Sequence, residues 1–434
     1  MSRAPLAAAA LAGLALLAGI PARAQDLSGF DRQRGLQMLG VVRDDITGHY
    51  FDTLYAGKDL PAVFDTAAAR IRRAVSMDQV LGIIAQAAAS LDDSHTIFLP
   101  PGLRYDAEYG WTARFVGDTC RVLTVVAGSD AEAKGMQVGD ALLQVEGIDL
   151  DRSIMWQLEY LLHALRPRPA VRVLLRSAGA PARSLEIGAR MVERRSLVDL
   201  ENSVDLWELI RGAQRNAERS APRLVDLDGR VAVFRLPAFQ ADFPWIDWFA
   251  KQVRGREAVV IDLRGNHGGA VDALLRFVGL FFEQDQVVAD VVERRKRHTL
   301  VARGAGKAYF AGKVVVLTDA ESGSAAELFA RSMQLAGRGT VLGDKSAGAV
   351  RVSRFFTHLS GSQIGALYGT SVTVSDVIMP DGGRLERTGV IPDEPILPTG
   401  EDLRRKADPV LARALALAGI ERTPEQAGRL PWEP

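Results

Sequence analysis

Two stretches of the chain put reactive or anion-binding groups where a buried strand gives way to a helix. In the first, an apolar run at 314–317 is followed by Thr318-Asp319-Ala320-Glu321-Ser322-Gly323-Ser324, and a helical pattern opens at Ala325. A hydroxyl at Ser324 would face the positive end of the helix dipole and the unpaired N–H groups of its first turn. Such surroundings stabilise a developing alkoxide and the oxyanion of an acyl intermediate, so the spacing suits nucleophilic catalysis. It suits a plain N-cap equally well, because serine is favoured there for its hydroxyl alone. The second stretch, Ile261-Asp262-Leu263-Arg264-Gly265-Asn266-His267-Gly268-Gly269, is a glycine-rich turn between a buried strand and an apolar helix. Its backbone N–H groups could hold a phosphate or an oxyanion. It has neither the Gly-Lys-Ser/Thr ending of a P-loop nor the G-x-G-x-x-G spacing, which argues against nucleotide binding. Asp262 and Arg264 read as an ion pair bracing this loop.

A third candidate is the polar step Asp92-Asp93-Ser94-His95-Thr96, between a helical pattern and the extended Ile97-Phe98-Leu99-Pro100-Pro101. An imidazole presented there would titrate near neutral pH and could act as a base, or could be a structural histidine at a helix end. His49, His163, His298 and His358 are scattered and read as structural. No cluster of His, Cys, Asp and Glu has metal-ligand spacing, so neither a metal nor another cofactor is expected. Cys120 is the sole cysteine, which leaves no intramolecular disulfide; it lies in an alternating stretch and reads as a buried apolar residue.

Several elements must position these groups. From 27 to about 91 the periodicity is helical, with Leu36, Leu39, Val42 and Ile46 on one face. A second helix should begin at Ser76, which with Gln79 has the capping-box spacing, and its apolar stripe continues through Val80, Ile83, Ile84, Ala87 and Leu91. Between 105 and 190 the chain changes to strand-like runs at 121–126, 141–145 and 170–175, with a helix around 154–165. From 223 to 400, strands at 231–234, 258–263, 314–317 and 340–342 alternate with helices at 271–282 and 325–335, the signature of βαβ units in an α/β core. Residues 191–222 read as a charged connecting segment, and 401–434 as a terminal helix and polar tail.

The chain is 434 residues long with 53 basic and 53 acidic residues, so no global field favours nucleic acid or an anionic membrane as partner. Residues 1–24 read as a bacterial signal peptide. Arg3 gives the positive start, 5–20 an Ala/Leu-rich run shorter than the roughly 20 residues that span a bilayer, and Ala22-Arg23-Ala24 the small-x-small cleavage site. An uncleaved anchor is the other reading of this run. Cleavage would place the mature protein in the periplasm or outside the cell, with no stable membrane insertion.

The segment "AGSDAEAKGMQVGDALLQVEG" resembles a PDZ domain, a unit that captures extended peptide ends by strand addition. More broadly, "LDDSHTIFLPP", "VVIDLRGNHGG", "SGSAAELFA", "GTVLGDKSAGAV" and "MPDGGRLERTGVIPDEPI" occur in the order found in the C-terminal processing (tail-specific) serine proteases and their relative, the tricorn protease. The resemblance implies a ClpP/crotonase-like α/β core with an N-terminal helical region (25–104) and an inserted PDZ-like domain (105–190). It implies serine endopeptidase activity on protein or peptide substrates near their C-termini, and an oligomer is possible. Carried over residue by residue, the nucleophile is Ser324. The processing-protease branch uses a lysine base in a "T-x-G-K" stretch, which here reads Ser346-Ala347-Gly348-Ala349, with Ala349 in the lysine's place. Lys345, four residues earlier, is expected to point elsewhere. The tricorn-like branch uses a Ser-His pair and a late glutamate, matched by Ser94, His95 and Glu386, with Gly268 and Ala325 supplying the oxyanion-hole N–H groups. His267 replaces a glycine of the usual "N-G-G-G", and could hinder that loop or serve as base itself. The missing lysine and altered loop leave open a catalytically inactive peptide- or hydrophobic-ligand-binding protein on the same scaffold.

Overall fold

A computed structural model of the protein describes residues 27–101, 105–193, 221–360 and 366–432. The expected leader, and all of the connecting segment between 194 and 220, lie outside these residues.

The central layer is a six-stranded sheet in the order Arg223–Leu227, Val231–Arg235, Ala258–Asp262, Lys313–Thr318, Gly339–Gly343, Glu394–Pro395. Only the first pair is antiparallel; the other neighbours run parallel. Parallel neighbours need crossover connections. The helices Pro244–Val253, Val271–Gly279 and Ala325–Leu335 lie within them. Every residue of Ala258–Asp262 is buried, as is every residue of Lys313–Thr318 after the first. This explains why both strands read as unbroken Val/Ile/Leu runs: a parallel strand covered on both faces has no polar side. One face packs an aromatic cluster, in which Phe277 meets Phe249 and Phe329 at ring separations of 5.0 and 5.1 Å. The other face, through Val233, Val260, Val315 and Leu342, packs on the helix Pro409–Leu417.

The N-terminal region folds as the helices Gly29–His49, Leu60–Arg72 and Met77–Ala89. Leu39, Val42 and Ile46 are buried as the stripe predicts, and Leu36 is half-buried. Ser76 caps the third helix, its Oγ accepting from the Gln79 N–H at 3.3 Å. The residues between that helix and the strand Ile97–Leu99 carry Ser94 and His95, so a helix end and a strand start fix the loop from both sides.

Residues 105–193 form an antiparallel unit. Its strands Trp111–Val116, Thr119–Val125, Ala141–Val145, Ala170–Arg176 and Arg183–Gly188 lie side by side in that order. The expected helix is present as Met155–Glu159, continued by a π-turn over Tyr160–Leu165. Cys120 is buried and unpaired, and burial pushes its thiol up to about 12.

One sheet goes beyond the alternating pattern expected of the core. Gln286–Glu293, Arg297–Ala302, Val352–Ser360 and Ala366–Ile378 form an antiparallel sheet that Ile97–Leu99 joins at its edge. Its alternation is broken by a bulge between Val287 and Ala289 and by the charged run Arg294 to Arg297, which hides the period-2 signal. Among the described residues, no helix is long and apolar enough to cross a membrane.

Candidate active site

Ser324 stands between the strand Lys313–Thr318 and the helix Ala325–Leu335, with φ 52° and ψ −120°. A residue carrying a Cβ is held there only when its surroundings over-determine it, at about 1–3 kcal/mol of strain. The surroundings are two stitched loops. Asp319 Oδ1 accepts from the N–H groups of Gly265 (3.0 Å), Glu321 (3.0 Å) and Ser322 (3.1 Å). Ser322 Oγ donates to the Leu263 carbonyl at 2.8 Å, and the Gly323 N–H donates to the Asn266 carbonyl at 2.8 Å. Asp262 and Arg264 brace the base of the glycine loop, as expected: Arg264 donates to both Asp262 oxygens at 2.8 and 2.9 Å and reaches Asp408 as well.

Gly268 has to be glycine. Its φ is +98°, and a Cβ would stand 2.6 Å from Ser324 Cβ and 2.9 Å from the Ala325 nitrogen. The loop therefore presses against the Ser324 turn. The Gly268 N–H, expected in the oxyanion hole, is engaged here by the Asn266 Oδ1 at 2.7 Å, because the buried Asn266 side chain folds back over its own turn. Ala325 is the first helical residue, and its N–H has no intrahelical acceptor.

The side chain that ties this turn to the rest of the core is Glu327, fully buried one turn into the helix. Its Oε1 accepts from Ser346 Oγ (2.5 Å) and the Gly348 N–H (2.8 Å), and its Oε2 from the N–H groups of Ala349 (2.9 Å) and Ser324 (3.1 Å). Burial pushes this carboxyl up to about 7, against the pull of those four donors. The Ser324 N–H also donates to the Ala349 carbonyl at 2.8 Å, so the position where the resemblance places a lysine lies directly beside the serine.

His95 is held through its backbone and its ring. Asp93 Oδ1 accepts from the N–H groups of His95 (2.9 Å) and Thr96 (3.0 Å) and from the Thr373 hydroxyl. Asp93 Oδ2 accepts from Tyr50 Oη at 3.0 Å and from Arg351. Burial works to raise Asp93, but the Thr373 bond and the Arg351 cation outweigh it and hold the carboxyl below its usual range. The imidazole Nδ1 is 2.6 Å from Ser94 Oγ. Burial lowers the His95 pKa, and the charges of Glu386 and Asp93 oppose that shift only in part. Glu386 accepts from the Val350 N–H at 3.1 Å through Oε2, while its Oε1 is buried without a hydrogen-bond partner.

Ser94, His95 and Glu386 line one cavity of about 540 Å³, together with Gly323, Ala349 and the exposed His267. Ser324 and Ala325 line a neighbouring cavity of about 830 Å³. The structure thus brings three of the four expected side chains together, with the serine in the partition beside them and no hydrogen bond between Ser324 and His95. Lys345, expected to point away, lines the His95 cavity, because the turn after Gly339–Gly343 passes along its wall. Of the remaining histidines, His358 bonds Asp45 at 2.8 Å and His163 packs on Tyr109, while His49, stacked on Phe356 at 4.3 Å, and His298, beside Glu293, are exposed and line the Ser324 cavity. Asp93, Arg351, Asp319 and the role of Glu327 are not legible in the sequence, because these buried or half-buried charged groups each engage at least one partner distant in the chain. The doubled Asp92-Asp93 before a Ser-His pair was the one available signal.

Residues 230–396 match the model of Peptidase family S41. The chain is 24% identical over 336 residues to the chloroplastic carboxyl-terminal-processing peptidase 1 of Arabidopsis thaliana, covering 75% of this chain and 64% of that one. It is 24% identical to the carboxyl-terminal-processing protease of Picosynechococcus sp., covering 73% of each chain. It is also 24% identical to the tail-specific protease of Haemophilus influenzae, spanning 45% of that relative's length. Among solved structures, mature CPAF complexed with lactacystin superposes with a TM-score of 0.65 at 15% identity, over 87% of this chain and 96% of that one. The photosystem II D1 C-terminal processing protease gives 0.50 at 19% identity, over 85% and 94%. At these identities the structural likeness speaks for the fold.

Proposed function

The chain carries a Peptidase family S41 domain, and from that premise we propose that it is an exported serine endopeptidase acting near the C-termini of protein or peptide substrates. The observation that carries this reading is the backbone of Ser324. A non-glycine residue at φ 52° and ψ −120°, on a sharp strand-to-helix turn, is how a nucleophile is lifted out of its sheet toward a substrate. A simple N-cap needs no such strain, since N-caps ordinarily adopt extended backbone angles.

In the proposed mechanism Ser324 Oγ attacks the scissile carbonyl carbon and His95 Nε2 takes its proton. Nδ1, bonded to Ser94 Oγ, keeps the ring in the tautomer with Nε2 free. The Ser94 hydroxyl keeps its proton and donates a hydrogen bond toward the unpartnered Glu386 Oε1, whose negative charge steadies the imidazolium. The oxyanion is received by the Ala325 N–H, and by the Gly268 N–H once the Asn266 side chain releases it. The His95 base then protonates the leaving amine, and water resolves the acyl-enzyme by the reverse route. Contacts of this kind commonly tighten only when substrate is bound, so the open Ser324–His95 pair is compatible with catalysis. The antiparallel unit at 105–190, read as PDZ-like, would hold the substrate's chain end. The leader at 1–24 would deliver the protein to the periplasm or beyond.

A second reading, a peptide-binding protein without activity, is favoured by the engaged Gly268 N–H and the separation of Ser324 from His95. Hydrolysis of unfolded casein by the purified protein decides between them. Loss of activity in Ser324→Ala and His95→Ala, with activity kept in Lys345→Ala, is the expected result. No activity in any form, with casein still bound, would leave the binding reading standing.

A further inference from the structure

Tyr50 and Phe51 directly follow the helix Gly29–His49, and they lie against the loop that carries His95. Several groups grip this point. Arg294 donates to the carbonyls of Tyr50, Gly48 and Thr47 at 3.0, 2.9 and 2.9 Å, which covers the open C-terminal end of the helix. The Phe51 N–H donates to the Thr373 carbonyl at 3.0 Å, and the Arg351 guanidinium lies 5.1 Å over the Phe51 ring. Thr373 is bound to the His95 loop as well: its N–H donates to Thr96 Oγ1 at 3.1 Å and its hydroxyl to Asp93. Asp93 itself is buried and gathers five donors. The His95 and Thr96 N–H bonds to Oδ1 are enough to close the local turn. Oδ2 takes no part in that turn. Its donors are Tyr50 Oη, 43 residues upstream at 3.0 Å, and Arg351, 258 residues downstream. Burial, and then the charge of Asp93, push the Tyr50 phenol well above its ordinary value, so it stays a donor at any working pH.

We propose that Tyr50 is a positioning residue for the His95 base, so that the end of the N-terminal helix is a working part of the active site. The inference rests on the peptidase reading, in which His95 takes the Ser324 proton. Tyr50 acts through another residue: its phenol fixes Oδ2 of Asp93, and Oδ1 of the same carboxylate fixes the His95 backbone. Arg351 is the weaker guide of the two, because Asp376 draws its Nε from the other side at 3.8 Å. The phenol has one donor direction, and its ring is flanked by those of Phe51 and Tyr55 at 5.1 and 6.2 Å. A base works well only when held to within a fraction of an ångström, by side chains that are themselves locked by packing and hydrogen bonds. Tyr50 meets that description, and the helix end that carries it is pinned by Arg294.

The test compares Tyr50→Phe with Tyr55→Phe, which removes a phenol of the same region that bonds the Thr47 carbonyl at 3.4 Å instead of Asp93. Two readouts are taken on the full chain: hydrolysis of fluorogenic casein across pH, and NMR titration of labelled histidines, with the His95 signal assigned from His95→Ala. In Tyr50→Phe, kcat should fall about tenfold while KM stays within about twofold. The His95 titration and the acid limb should both move up toward the ordinary histidine value. Burial is what lowers them, and a loosened ring meets water, while the charges that face it, Glu386 and Asp93 on one side of the balance and Arg351 on the other, are still present. Tyr55→Phe should match the wild type in both readouts. Arg351→Lys keeps the cation but loses the planar fork, so it loosens the same oxygen and should shift His95 the same way; it carries the test if Tyr50→Phe does not fold. Wild-type kcat with an unmoved His95 titration in Tyr50→Phe, or an equal loss in Tyr55→Phe, would overturn the positioning role and keep the peptidase. A wild type that hydrolyses nothing, with the His95 titration still shifted in Tyr50→Phe, would overturn the peptidase reading and keep the link from Tyr50 to His95.

Discussion

Replacing Glu327 by Gln separates two opposing influences on one carboxyl group. Burial favours the neutral acid, while four donors aimed at its two oxygens favour the anion. With burial dominant the group titrates at about 7 in the folded protein, against an ordinary value of 4.5. A folded-state value raised in this way gives stability that is present in full below the unfolded value and lost as pH rises through the folded one. Between pH 5 and pH 8 the linkage amounts to a loss of about 2.5 kcal/mol. Glutamine cannot titrate, so its variant lacks this slope. It also turns an amide toward two of the four donors, and each donor left unpaired costs about 1–3 kcal/mol at every pH. The variant is therefore the less stable protein throughout, and its deficit shrinks by about 2.5 kcal/mol from pH 5 to pH 8. Urea unfolding of both proteins at four pH values measures that deficit directly. A deficit constant across the range would mean that Glu327 is ionised throughout and that the donors, not burial, set its charge.

Ser324→Gly should be more stable than Ser324→Ala by about 1 kcal/mol, since glycine relieves the backbone strain at the cost of some unfolded-state entropy; both should be inactive, and equal urea midpoints would deny the strain. Gly268→Ala should destabilise by roughly 2–3 kcal/mol and abolish hydrolysis, because the new methyl meets both Ser324 and the Ala325 nitrogen at a positive φ; a normal melting curve with full activity would show that the two loops are less tightly apposed. The acid limb of kcat/KM should fall below pH 6.5, since burial lowers the His95 pKa and the neutral ring is the proposed base. Glu386→Gln removes a charge that raises this pKa, so the limb should move to still lower pH while kcat falls; an unmoved limb would place the base elsewhere.

The parts of the fold legible in the sequence are those with one dominant period. The strand Ala141–Val145 and the helix Ala325–Leu335 were delimited to the residue, because a buried apolar run or a clean 3.6 stripe has sharp ends. The antiparallel sheet of 286–302 and 352–378 was not legible, since its strands mix exposed and buried positions with a bulge and a charged turn. The candidate site divides the same way. Ser324 and the glycine loop announce themselves by local order, whereas Asp93, Arg351 and Glu327 also engage partners distant in the chain, such as Thr373 and Ser346. Thr373, which donates to Asp93, is 280 residues away in the chain. The commitment of the Gly268 N–H to Asn266 follows from a side-chain rotamer, on which sequence spacing is silent.

The structure also sharpens what the absence of a lysine at position 349 means. The Ala349 backbone accepts from the Ser324 N–H and donates to Glu327, so a longer side chain at this position would start beside Ser324. The half-buried cation two residues on is Arg351, but it is committed to Asp93, and a guanidinium keeps its proton at any working pH and cannot serve as a base. Arg351 therefore helps to set the loop and field around His95. Three groups on the cavity beside Ser324 could exchange a proton with it: His95, fixed by Ser94, Asp93 and the charge of Glu386; Lys345, which has no hydrogen bond or ion pair from its amine to any described residue; and the exposed His267 of the glycine loop. A base must be held in one orientation to be effective, and of the three only the His95 imidazole is so held. Lys345→Ala should therefore retain at least half of the wild-type kcat/KM, roughly a 0.4 kcal/mol limit on its part in the transition state. A loss of a hundredfold or more would transfer the base from His95 to Lys345 and with it the whole account of Ser94 and Glu386.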